Sequence, residues 1–249
     1  MRKSAPAKDL ILILTGIGYQ ESYIRITLSQ MKRRGELITP QRGDYQLTTQ
    51  DQTYVTELEK KVKSINADQV MYTLVLTGFH ADHAVVRQQT ANLLHRLGFG
   101  NMGNGVYVGI GDKRSVREAL TLDDQDSVKV VLTSAITPTP TAEEISQWWD
   151  LERVTEQIQA LAHQLDQLMG QGDLATFDNL TLLQRYLQLI DLVGAYYASD
   201  PMLPKVLVGS DWLGYWVLRR MLTYGQQIVA SVDKTGPFHD YFDFGVLTR

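Results

Sequence analysis

Between Ile136 and Thr141 the chain reads Ile-Thr-Pro-Thr-Pro-Thr. Two prolines this close remove two amide donors and fix φ, so the stretch can neither continue a helix nor pair as a central strand. It separates two textures. On its N-terminal side, residues 70–76, 105–110 and 128–132 are short runs dense in β-branched and aromatic side chains. Helical segments over 82–97 and 114–120 alternate with them, and a further strand fits near 98–102. Val85, Leu93, Leu94 and Leu97 are the residues expected to face inward from the first of these helices. This succession predicts a small ferredoxin-like sandwich over 67–137.

On the C-terminal side the period changes. Ile145, Trp148, Trp149, Leu151, Val154, Ile158, Leu161, Leu165 and Leu168 recur at helical spacing over 142–169, as two helices or one bent one. A second long helix over 180–199 stops at Asp200-Pro201, and a third covers 212–230. Phe238, Tyr241, Phe242 and Phe244 are the anchors that would order the tail. Residues 138–249 are therefore expected to form a helical domain.

The first 48 residues follow a third plan. A short apolar helix over 8–17 ends at Gly16 and Gly18. Ser22 is placed to cap the next helix, in which Ile24, Leu28 and Met31 fall on one face at i, i+4 and i+7. Gly35 stands where a left-handed C-cap belongs. Two short strands, 36–39 and 45–48, flank Pro40-Gln41-Arg42-Gly43-Asp44. Helix, turn, helix and hairpin outline a winged helix-turn-helix over 1–48. A polar helix over 49–66 would connect it to the rest, giving an α+β protein of three domains.

Charge follows the same division. The whole chain carries a formal net charge of -4. Residues 1–64 hold eleven Lys and Arg against seven Asp and Glu, a net of +4; the rest holds thirteen against twenty-one, a net of −8. A basic head on an acidic body points to a polyanion that only the head touches. With Ile24, Leu28 and Met31 turned inward, Tyr23, Arg25, Thr27, Ser29, Gln30, Lys32 and Arg33 lie on outer and flanking faces. These types reach phosphates and major-groove base edges. Arg42, at the hairpin tip, is placed for the backbone or minor groove.

Other chemistries are poorly supported. There is no cysteine, so disulfides, thiolate metal sites and a cysteine nucleophile are excluded. No apolar run reaches the roughly 18 residues of a membrane span, and no secretory leader is evident, so the expected location is the cytoplasm. His80, Asp82 and His83 resemble half of a metallo-β-lactamase metal motif, but Gly78 stands where its first histidine belongs. His80 and Asp82 are better read as capping the following helix. No phosphate-binding loop or dinucleotide fingerprint is present, and no metal, cofactor or catalytic group is expected. Trp148, Trp149, Trp212 and Trp216 are expected in the core rather than in a ligand cage; Tyr196, Tyr197 and Tyr215 could line a pocket with them.

Several of these segments resemble the PaaX-type transcriptional regulators of phenylacetate catabolism. The helix Tyr23-Ile24-Arg25-Ile26-Thr27-Leu28-Ser29-Gln30-Met31, with Gly35-Glu36-Leu37 and Tyr45-Gln46-Leu47-Thr48, is similar to that family's head. Leu97-Gly98-Phe99-Gly100, Val106-Tyr107-Val108 and Trp149-Asp150-Leu151 resemble its middle segments, and Asp200-Pro201-Met202-Leu203-Pro204 through Gly209-Ser210-Asp211-Trp212-Leu213-Gly214 its C-terminal motif. Gln30 departs from an arginine of the pattern and Glu36 from a tryptophan.

The resemblance implies a dimeric repressor of double-stranded operator DNA, released by a small-molecule effector such as an acyl-CoA thioester, whose binding residues stay unassigned. It also implies a middle domain similar to a small CRISPR-associated nuclease. A metal-dependent nuclease is thus one alternative, although residues 74–77 supply no carboxylate at the end of the first strand. A ligand-binding protein with a degenerate head is another. A full winged helix has two helices before the recognition helix and this head shows one. The apolar 10–14 face is then covered by a partner subunit or by upstream residues, or the head binds DNA poorly.

Overall fold

The computed structural model describes residues 4–47, 65, 70–78, 84–114, 116–120 and 127–242. The connecting helix expected over 49–66 lies outside the described residues except for Ile65, as do His80, Asp82, His83 and Phe244. The chain forms two compact units, Met1–Glu57 with Leu161–Ala195 and Val217–Arg249, and Leu58–Ala160 with Tyr196–Trp216. The fold is α+β, with two antiparallel sheets among the described residues.

The first unit opens with β1 (Ala5–Pro6), α1 (Ala7–Thr15), α2 (Glu21–Arg33), β2 (Leu37–Ile38) and β3 (Asp44–Leu47). Its sheet runs β1-β3-β2, with Ala5 opposite Tyr45 and Leu37 opposite Leu47. Ile24, Leu28 and Leu37 form its core, packed by Leu10, Ile11, Leu14, Met31 and Tyr45. Each fully buried aliphatic side chain there contributes about 1.5–3 kcal/mol.

Helix α2 begins one residue before Ser22, with Gln20 in the cap position and no side-chain cap bond. Ser22 therefore lies inside the first turn and is not the cap. Glu21 supplies the negative charge that complements the helix N-terminus instead. The helix stops as expected at Gly35, whose φ of 76° suits glycine. Gly35 N donates to Lys32 O and Glu36 N to Met31 O, the paired bonds of a Schellman ending.

The 10–14 run of α1 packs on the head itself, with Leu10, Ile11 and Leu14 against Ile24, Leu28 and Leu37. Ile13 is buried and, of that run, only Leu12 is an exposed large apolar residue. Gln184 Nε2 donates to Leu12 O at 3.5 Å and Tyr241 Oη to Asp9 Oδ2 at 2.8 Å. Two polar contacts thus join α1 to the C-terminal half of the chain within the same unit.

The second unit holds β4 (Tyr72–Gly78), α3 (Ala84–Arg96), β5 (Gly100–Gly103), β6 (Val106–Ile110), α4 (Val116–Ala119) and β7 (Ser127–Thr133). The sheet order is β5-β6-β4-β7, every neighbouring pair antiparallel. The strand sought near 98–102 is β5. Alternate residues serve two cores, because successive side chains leave a strand on opposite faces. Val75 and Tyr107 pack with Leu94, Phe99, Val116 and Leu120. Tyr72, Leu74, Val108 and Ile110 pack with Ile145 and Trp149 of α5 (Ala142–Trp149). A Cβ on Gly100 would stand 2.7 Å from the Trp149 ring, so glycine is what lets that ring lie on β5.

Val85 does not face inward; it is 70% exposed, while Leu94 is fully buried. Nine residues are two and a half helical turns, which sets the two on opposite faces of α3. Leu97 is likewise an exposed residue, and Leu93 packs from the flank of the core.

Helix α5 is closed at its start by a reciprocal pair: Thr141 N donates to Glu144 Oε2 at 2.8 Å and Glu144 N to Thr141 Oγ1 at 3.2 Å. Asp150, in the left-handed region with φ 51°, ends it, and α6 (Leu151–Met169) follows as a separate helix. Further α-helices among the described residues are α7 (Asn179–Ser199), α8 (Lys205–Val208) and α9 (Leu213–Ala230).

The Asp200-to-Pro204 motif is a structural knot of the second unit. The buried Asp200 accepts Tyr196 Oη at 2.8 Å, Trp212 Nε1 at 3.0 Å and Met202 N at 2.6 Å. Burial, reinforced by Asp200, pushes the Tyr196 hydroxyl far up from its ordinary pKa, and Tyr215 moves the same way for the same causes. Both stay neutral donors, with Tyr215 Oη donating to Leu203 O. Trp149 is core and its Nε1 donates to Gly98 O at 3.1 Å, whereas Trp216 is exposed.

In the first unit Arg185 is the unexpected buried cation. It donates to Leu168 O at 2.6 Å and Gln171 O at 3.0 Å, satisfying the C-terminal end of α6. Phe242 is fully buried against the Tyr186 ring, so the aromatic tail is ordered through that residue. Among the described residues no helix is long and apolar enough to cross a membrane.

Candidate nucleic-acid interface

Burial of Ile24 and Leu28 fixes the rotation of α2 and so decides what the head shows to solvent. Tyr23, Arg25, Ser29, Gln30, Lys32 and Arg33 are all exposed. Thr27 is half-buried at the edge of the packed stripe, on a flank of the helix. Seven of the eight residues singled out in the sequence are thus exposed, counting Arg42 at the hairpin tip.

The hairpin that carries Arg42 is held from below. Asp44, buried, accepts Gln41 Nε2 at 2.8 Å and Ser4 Oγ at 3.4 Å, and its amide donates to Gln41 O. Asp44 also pairs with Pro6 in the sheet, so β1 buttresses the base of the turn. A two-residue strand of this kind leaves no periodic trace, and nothing local in Ala5-Pro6 announces it.

The cations of α2 are not equivalent. Arg25 Nη2 lies 2.7 Å from Glu21 Oε1, one turn earlier, with both side chains more than half exposed. Arg34 is engaged by Glu36 at 2.6 Å. Lys32, Arg33 and Arg42 have no carboxylate partner among the described residues. Their charge is not offset by a carboxylate, while Arg25 is oriented by its neighbour.

Two exposed residues escaped the sequence reading. Tyr19, in the turn before α2, stacks on Tyr23 with ring centroids 6.1 Å apart and planes 11° apart. Ile26 is 55% exposed, on the side of α2 away from its core. The helical period would have found Ile26 had it been applied to every residue rather than to the polar ones.

Residues 1–51 match the PaaX-like protein family model.

The PaaX-like match takes in α1, α2 and the whole hairpin, which is the segment that carries the exposed cations. It supports, coarsely, transcription regulation and DNA binding for this chain. The chain is also similar in structure to the uncharacterized protein Rv0674 from Mycobacterium tuberculosis, at 21% sequence identity and a TM-score of 0.56. That similarity covers 91% of this chain and 89% of the other and is one of fold. Comparison with curated proteins finds no match. Among the described residues no group of three or more His, Cys, Asp or Glu could hold a metal ion.

Proposed function

We propose that this chain is a dimeric, cytoplasmic transcriptional repressor that reads operator DNA with a winged helix-turn-helix head. The observation that carries the reading is the rotation of α2, which buries Ile24 and Leu28 and turns Tyr23, Arg25, Ser29, Gln30, Lys32 and Arg33 outward. The sheet order β1-β3-β2 behind two helices joined by a short turn supports the winged-helix assignment. The order β5-β6-β4-β7, with two crossing helices, supports a ferredoxin-like middle domain. On this reading α2 enters the major groove, its N-terminal half meets base edges, and Arg42 follows the backbone beside it.

Two heads in a homodimer would address the two halves of a pseudo-palindromic operator. A small-molecule effector, an acyl-CoA thioester on the resemblance noted above, would favour a DNA-free arrangement. It can do so only by its differential affinity for the two states. The chain would not be an enzyme.

The test is selection of bound fragments from the organism's genomic DNA by the full-length protein, followed by affinity measurement over a range of salt. A shared motif in two half-sites and a steep loss of affinity with salt are expected. Indifference to every genomic duplex at low ionic strength would overturn the reading. Cleavage of labelled RNA or DNA with Mg²⁺ or Mn²⁺ would replace it with the nuclease alternative.

A further inference from the structure

We infer that Ile26 is a base-reading residue of this head and recognises the 5-methyl group of a thymine in the major groove. The inference rests on the DNA-binding reading above and adds to it what the centre of the helix detects.

Its position is the argument. A lone exposed aliphatic residue is ordinary on a protein surface. Ile26, however, stands opposite the core. At 100° per residue it lies roughly 160° from both Ile24 and Leu28, the two residues that anchor α2. Its side chain is aimed away from the head's core, and it is 55% exposed.

The neighbours fit the same partner. Ser22, Tyr23, Ser29 and Gln30, at three and four residues from Ile26, are exposed and uncharged. Charge lies to the side and at the end of this strip: Arg25 and Lys32 on one flank, Arg33 two turns on. A B-form duplex presents the complement, base edges along the groove floor and phosphates along its walls. On that floor thymine alone offers a methyl group, which an aliphatic side chain contacts and a polar one does not. The stack of Tyr19 on Tyr23 restrains the aromatic ring at the start of the strip.

The experiment uses the full-length protein and a genomic duplex it selects. Each thymine is replaced in turn by deoxyuridine, which lacks only the methyl group. At least one replacement should weaken wild-type binding by about three- to five-fold, the scale of one buried methyl. The Ile26→Ala protein should lose a similar factor on the natural duplex and be indifferent to that replacement.

A wild-type protein indifferent to every deoxyuridine overturns the inference, and so does an Ile26→Ala protein that keeps the discrimination. A smaller species in sedimentation of free Ile26→Ala protein also overturns it, by making this face a contact between copies. If the deoxyuridines are silent while Arg33→Ala still lowers affinity, the DNA-binding reading stands and Ile26 alone falls. The deoxyuridine arm changes only the DNA, so it decides regardless of how the variant folds.

Discussion

Glu21 and Arg25 stand one turn apart on the exposed side of α2, with guanidinium and carboxylate 2.7 Å apart. Arg25 is the arginine nearest the start of the helix, where base edges would be met, and the contact orients its donors while cancelling part of its charge. In water such an exposed pair is worth little to stability. Its consequence is for binding.

Arg25→Ala is expected to lower affinity for the preferred duplex by about 1–3 kcal/mol and to relax preference at one position. Glu21→Gln removes a negative charge from the same surface. It should strengthen binding to all duplexes and steepen the salt dependence. Anisotropy titrations at several salt concentrations measure both, and an unaltered Arg25→Ala isotherm would remove Arg25 from the interface.

Arg42→Ala should act differently. Its side chain is exposed at the hairpin tip, where a duplex backbone would run. Loss of one phosphate contact weakens all sequences alike and reduces the slope of log affinity against log salt by about 1. A slope equal to that of the wild type would detach the hairpin from the DNA.

Asp200→Ala tests the knot in the second unit. It strands three donors, the buried Tyr196 hydroxyl and Met202 amide and the half-buried Trp212 indole N–H. A buried donor left unsatisfied costs about 1–3 kcal/mol, so a loss of about 3 kcal/mol or more is expected. Urea unfolding followed by tryptophan fluorescence reads it. A midpoint within error of the wild type would show that the carboxylate is not what holds this segment.

Asp112 supplies a test by pH. Hydrogen bonds from the Arg114 side chain and amide hold its carboxyl down at about 2. A folded value below the unfolded one means the contribution is present above the ordinary carboxylate range. It fades as pH falls from about 4 towards 2. Arg114→Gln should return Asp112 towards its ordinary value in a carboxyl-carbon NMR titration. An unmoved titration would assign the shift to another group.

Much of the local structure can be read directly from residue order. The inward stripe of α2, its stop at Gly35 and the strand after Gly98 all follow from spacing within ten or so residues, whereas the choice between two helices and one bent one over 142–169 is made by Asp150 in the left-handed region. Where reading failed, the deciding contact was distant or the period was misapplied. Val85 is apolar but sits half a turn out of phase with Leu94, and packing follows phase rather than residue type. Ser22 lost the cap position because Glu21 already extends the helix by one residue.

By itself, residue order determined which stretches coil, which pair, where the basic charge gathers and which side of α2 is buried. These depend on periodicity and composition over neighbouring positions. Tertiary structure alone decided that Ala5–Pro6 pairs with a strand almost forty residues on. It likewise decided that Gln184 and Tyr241, far along the chain, hydrogen-bond to α1, and that Arg185 is sunk against the end of α6. Each of these is a choice among partners far apart in the chain. It is settled by which apolar faces and unsatisfied backbone groups meet once the elements are assembled, and no local pattern encodes that.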